Sequence, residues 1–135
     1  AAAPRLADRI TRLPGRKIVF TNGDAPYAEK VLAALDLSDC FDGMWDIHAM
    51  HYRPKPEPSA YHGVIKAFGI VPERAVFVED SARNLAPAKA LGMQTVWLDL
   101  ATEWGDRAMD PAAIDLVIDD FSEWLDALAR DGVLG

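Results

Sequence analysis

The chain has 135 residues, half of them apolar and 26% charged, which suits one ordinary globular domain with a core of its own. Fourteen basic against 21 acidic side chains give a net charge of -7, and Lys/Arg runs never exceed a dipeptide, so nucleic acid is a poor candidate for a partner and none is expected. Cys40 is the single cysteine, which leaves no internal disulfide and no thiol metal cluster, and a reducing, cytoplasmic setting is the expectation.

The N-terminal stretch Ala1-Ala2-Ala3-Pro4-Arg5 has no basic region followed by an apolar one, so no secretory signal is expected. No apolar run approaches the roughly 20 residues needed to cross a bilayer, and no membrane association is expected.

Arg5 to Leu13 reads as a short helix, with Leu6, Ile10 and Leu13 at helical spacing and Pro14-Gly15 closing it. Lys17 to Phe20 reads as the first strand. Pro26 opens a helix to about Leu35, with Val31, Leu32 and Leu35 expected inward. Trp45 to Ile47 is a weaker strand before a proline-rich loop. Ser59 to Phe68 is helical, with Tyr61, Val64, Ile65 and Phe68 on one side.

Val71 to Arg74 turns into a strand over Ala75 to Val78, and the next helix runs from about Ala82 to Leu91, stopping at Gly92. Thr95 to Leu98 and Leu116 to Ile118 are further strands, with a surface excursion expected from Ala101 to Ala113 between them. Phe121 to Ala129 is the last helix, with Phe121, Trp124, Leu125 and Leu128 inward. Trp45, Trp97 and Trp124 read as core, Trp104 as exposed. Short apolar strands alternating with helices predict an α/β fold with a parallel sheet covered on both faces.

Three strand ends carry chemistry. Ile18-Val19-Phe20 ends in Thr21-Asn22-Gly23, Val76-Phe77-Val78 ends in Glu79-Asp80-Ser81, and a loop presents Arg53-Pro54-Lys55-Pro56. Ligands bind at the carboxyl edge of open parallel sheets. A hydroxyl, an ammonium and paired acids there suit a phosphate beside a divalent cation. Each also has a plain reading: Thr21 as a turn or cap residue, Lys55 as a solvated loop lysine, Glu79-Asp80 as helix-capping acids. His48, His51 and His62 lack the company of a metal site and read as surface residues or as residues that support a site without entering it.

Phe20-Thr21-Asn22-Gly23, Lys55-Pro56-Glu57-Pro58 and Val78-Glu79-Asp80-Ser81, followed by Asn84 and by Ala88 to Met93, resemble the second, third and fourth motifs of the haloacid dehalogenase superfamily. The likeness runs from Arg16 to Leu98 and is nearest to the pyrimidine 5'-nucleotidase-like phosphatases, although Tyr27 stands where that subgroup often carries His. It implies a three-layer, Rossmann-like core and Mg²⁺-dependent hydrolysis of a small phosphorylated substrate such as a nucleoside monophosphate.

By the same resemblance, Thr21 hydrogen-bonds a phosphoryl oxygen with help from the Asn22 and Gly23 backbone N–H groups. Lys55 contacts the phosphoryl group and the nucleophile. Asp80 ligates Mg²⁺, and Glu79 acts directly or through water. Two adjacent acids beside an anion also demand a cation on charge grounds, or one of them protonates.

The superfamily's first motif, Asp-x-Asp after an apolar strand, is missing, as is the helical cap. Leu116-Val117-Ile118-Asp119-Asp120 has adjacent acids at the wrong end of the order. The expectation is a C-terminal portion of a longer enzyme, inactive alone, able to associate with the missing N-terminal segment or with a second copy. The alternatives are a short phosphate-binding or structural module without chemistry and, further off, a 2-haloacid dehalogenase, whose metal-free reaction has little use for Glu79-Asp80. In the family the absent strand lies between the strands ending at Thr21 and Glu79. Those two strands are therefore expected to close on each other or to have the slot filled by another segment.

Overall fold

A computed structural model describes residues 6–101 and 110–130 of the chain. They form α1 (Leu6–Thr11), β1 (Ile18–Phe20), α2 (Ala25–Ala34), β2 (Gly43–Trp45), α3 (Pro58–Phe68), β3 (Val76–Glu79), α4 (Leu85–Ala90), β4 (Gln94–Leu98), β5 (Leu116–Ile118) and α5 (Phe121–Arg130). The fold is α/β with all-parallel pairing, as the alternation of short apolar strands and helices predicts. The chain separates into two compact units, one running to His51 and resuming at Phe121, the other from Tyr52 to Asp120.

In the first unit β1 and β2 pair in register Ile18 with Gly43, Val19 with Met44 and Phe20 with Trp45. The second strand lies two residues earlier than the sequence suggests because Asp46 leaves the ladder. Its carboxylate accepts the backbone N–H groups of Ala25, at 2.8 Å, and Ala49, at 2.9 Å. The core gathers Ile10, Leu37 and Leu125, with Leu6, Leu13, Leu32, Phe41, Phe121, Trp124 and Leu128 packed around them. The inward faces expected of α1 and α5 are thus found.

Helix α2 differs. Asp24 caps it by accepting the Tyr27 N–H at 2.8 Å, and Pro26 sits in its first turn. Leu32 packs on the core, but Val31 is 39% exposed and Leu35 56% exposed. Leu35 is the C-cap, with φ -94° and ψ 1°, so its side chain no longer follows the helical spacing. Val31, about 100° around the helix from Leu32, falls outside the contact face.

The second unit holds a three-stranded sheet in the order β3-β4-β5. Glu79 stands opposite Trp97 at the carboxyl end of β3, and Val96, Trp97 and Leu98 pair with Leu116, Val117 and Ile118. Tyr61 and Val64 of α3 and Leu85 and Ala88 of α4 are buried. Gly92 follows α4 at φ +105°, a backbone conformation that favours glycine, and a Cβ there would also meet Glu73 Oε1 at 3.2 Å.

Part of the expected surface excursion belongs to the core instead: Pro111–Ala113 is a 3₁₀ turn, Ala113 is buried, and its carbonyl accepts the Thr95 hydroxyl at 2.6 Å. Residues 102–109, with Trp104, lie outside the described residues.

The expectation that the strands ending at Thr21 and Glu79 would close on each other, or that another segment would pair between them, is not met. Among the described residues β1 pairs only with β2 and β3 only with β4. Their side chains are half-buried or exposed, so water can satisfy the unpaired backbone groups of such short strands. No helix among the described residues is long and apolar enough to cross a membrane.

Candidate active site

Side chains alternate along a strand, so Phe77 and Glu79 of β3 share one face. Lys55 comes from the loop before α3 to lie against both. Its Nζ is 2.6 Å from Glu79 Oε2 and 5.5 Å from the centre of the Phe77 ring. The two charged side chains are 5% and 9% exposed, so this is a buried ion pair and Lys55 is not a solvated loop lysine. A charge so far from water needs a partner, and each supplies the other's.

Burial pushes the Glu79 carboxyl above its ordinary range; the Lys55 ammonium opposes this, and the neighbouring Asp80 carboxyl adds to the rise. The cation facing Glu79 here is a protein ammonium, and Asp80 is exposed one residue beyond the strand.

The turn after β3 is oxygen-rich. The Ser81 N–H donates to Glu79 Oε1 at 3.3 Å and the Asn84 N–H to the Ser81 carbonyl at 3.0 Å. Ser81 Oγ and Asn84 Oδ1 are buried with no protein partner, which in a folded protein calls for an explanation such as a bound ion or water. Among the described residues no three His, Cys, Asp or Glu side chains gather to hold a metal unaided, and His48, His51 and His62 are exposed. One or two carboxylates with neutral oxygens suit Mg²⁺, a hard ion that keeps several of its waters. Asp80, Ser81 and Asn84 are the residues of this turn that carry oxygens of those kinds.

Sequence reasoning quoted Ser81 and Asn84 as motif members without giving them work; their orphaned oxygens become visible only once burial is known. Trp97, read simply as core, is half-buried and donates its indole N–H to the Asp80 carbonyl at 3.0 Å.

In the first unit Thr21 extends the β1–β2 ladder by one bond, its N–H donating to the Trp45 carbonyl at 3.0 Å. Its Oγ1 accepts the Gly23 N–H at 3.0 Å, which keeps the hydroxyl proton as a donor but commits the backbone N–H expected to assist it. The Gly23 carbonyl accepts the Ile47 N–H at 3.1 Å. Residues 21–23 are therefore held as a tight turn at the carboxyl end of β1, with Asn22 at its centre. Asp119 and Asp120, beyond β5, are exposed.

Residues 3–92 match the haloacid dehalogenase-like hydrolases, and the chain belongs to this family. Similar curated proteins include the phosphoglycolate phosphatases of Escherichia coli K12, 29% identical over 131 residues, and of Salmonella typhimurium LT2, 30% identical over 131 residues. These alignments cover 93% of this chain and 50% of each relative, so the chain spans about half the length of the curated relatives it matches.

Among solved structures, a dehalogenase aligns over 96% of this chain and 57% of its own with a TM-score of 0.76 at 22% identity. The L-2-haloacid dehalogenase of Xanthobacter autotrophicus aligns over 94% and 60% with 0.70 at 21%, and a HAD phosphatase of Thermococcus onnurineus over 94% and 58% with 0.72 at 24%. Structural likeness at these identities speaks for the fold alone.

Proposed function

We propose that this chain is the phosphate-handling portion of a Mg²⁺-dependent phosphomonoester hydrolase acting on a small phosphorylated metabolite. The observation that carries the reading is the buried Lys55–Glu79 pair beside exposed Asp80 at the carboxyl edge of β3. Family membership and the phosphoglycolate phosphatase relatives support hydrolysis of a phosphate ester.

In this reading the Lys55 ammonium donates to an oxygen of the phosphoryl group, and the Thr21 hydroxyl keeps the phosphate-donor role that the motif resemblance implies. An ammonium has three donors, so its bond to Glu79 is compatible with that role. Glu79 fixes the ammonium's position. Asp80, with Ser81 and Asn84, holds Mg²⁺, which when bound offsets negative charge on the phosphoryl oxygens. The nucleophile is an aspartate outside these 135 residues; it displaces the ester oxygen to form an aspartyl-phosphate that water then cleaves.

The substrate class spans a nucleoside monophosphate, suggested by the motif resemblance, and a small phosphorylated acid, suggested by the relatives' names. Dehalogenase chemistry is the weaker reading, since it leaves Asp80 and the orphaned oxygens of Ser81 and Asn84 without work.

The test is hydrolysis of p-nitrophenyl phosphate by the full-length protein with and without Mg²⁺. Activity that needs Mg²⁺ and disappears in Asp80→Asn is expected; an unchanged rate in that variant would refute the role of Asp80. The 135 residues alone should turn nothing over.

A further inference from the structure

The turn that carries Asp80 is held at both ends by aromatic side chains from other elements, before any ligand is considered. At its start the Asp80 carbonyl accepts the Trp97 indole N–H at 3.0 Å. Trp97 stands opposite Glu79 in the β3–β4 register, so its ring reaches one residue beyond the strand's end. At its finish the Asn84 carbonyl accepts the hydroxyl of Tyr61 at 2.5 Å. Tyr61 is wholly buried, with its ring edge-on to Phe77 at 6.1 Å, which ties α3 to the face that carries Glu79.

Between these anchors Asp80 is exposed, and its side chain meets the strand through the carboxyl of Glu79, while its backbone is held from β4 by the Trp97 indole. A carboxylate on a free turn loses conformational entropy each time it binds an ion, and a turn fixed in advance removes that cost. An indole N–H is a donor only, and a phenylalanine ring at the same place keeps the contact area while removing the bond.

We infer that Trp97, with Tyr61 as the second anchor, is a positioning residue that presets the Asp80–Asn84 turn for cation binding through its bond to the Asp80 carbonyl. The inference rests on the reading of Asp80 as a Mg²⁺ ligand, and two measurements separate the failure of one from the failure of the other.

The first needs no ligand. Amide hydrogen exchange in Trp97→Phe should quicken by about tenfold at Ser81 to Asn84, the worth of one hydrogen bond, while Val96 and Leu98 keep the wild-type rate. Unchanged exchange in the turn, or a uniform rise across β4, overturns the positioning role. Tyr61→Phe should quicken exchange at Asn84 and Leu85.

The second measures p-nitrophenyl phosphate hydrolysis in the full-length protein. Trp97→Phe should raise the Mg²⁺ concentration for half-maximal rate several-fold while KM for the ester stays within about twofold, the worth of well under one hydrogen bond. An unchanged Mg²⁺ requirement in an active variant overturns the inference alone. A wild-type protein with no Mg²⁺-dependent hydrolysis sinks the reading beneath it.

Discussion

Lys55 and Glu79 neutralise each other 2.6 Å apart in a part of the second unit that water scarcely reaches. Removing one partner strands the other charge, so Glu79→Ala should lower unfolding stability by about 3–5 kcal/mol. The double variant Lys55→Met with Glu79→Leu should recover most of that loss, because two apolar side chains need no partner. Urea unfolding of the single and double variants checks this. A single variant within 0.5 kcal/mol of wild type, about the size of a surface effect, would show that the pair is solvated.

Asp46 sets an acid limit on the first unit. The Ala49 N–H is the main cause holding its carboxyl below the usual range, and the Ala25 N–H and His48 act in the same direction. A folded value below the unfolded one means the stabilisation is complete above the unfolded pKa and is lost as pH falls through the folded one. Asp46→Asn should therefore destabilise the protein by about 1 kcal/mol near neutrality and flatten acid unfolding below pH 4, read by circular dichroism. An acid transition as steep as wild type would contradict it. Asp115, lowered chiefly by its bonds from Lys89, contributes with the same sign.

Packing separates two leucines that the sequence treats alike. Leu125, 1% exposed against Ile10 and Leu37, should cost about 2–5 kcal/mol when cut to alanine. Leu35→Ala should stay within about 0.5 kcal/mol. Equal costs in thermal unfolding would restore Leu35 to the core.

Most elements were legible because their cues are local. The apolar spacing of α1 and α5, the proline in the first turn of α2, the glycine after α4 and the β-rich runs of β3 to β5 each act over a few residues. Asp46 was not legible as the end of β2, since its bonds reach back to Ala25, 21 positions earlier. The outward turn of Val31 and Leu35 depends on where α2 meets the core.

At the candidate site the motifs named Lys55, Glu79 and Asp80. That Lys55 is buried, that the cation facing Glu79 is its ammonium, and that Ser81 and Asn84 hold unpaired oxygens all follow from tertiary packing. Trp97 offered no signal beyond its apolar strand, because its indole N–H serves a carbonyl whose position only the β3–β4 register fixes.

The most direct test is a crystal structure of the full-length protein with Mg²⁺ and orthovanadate. The account predicts Lys55 Nζ within about 3.2 Å of a vanadate oxygen, with an Asp80 oxygen about 2.1 Å from the Mg²⁺ beside it. Vanadate bound away from Lys55, or Mg²⁺ bound without Asp80, would contradict it.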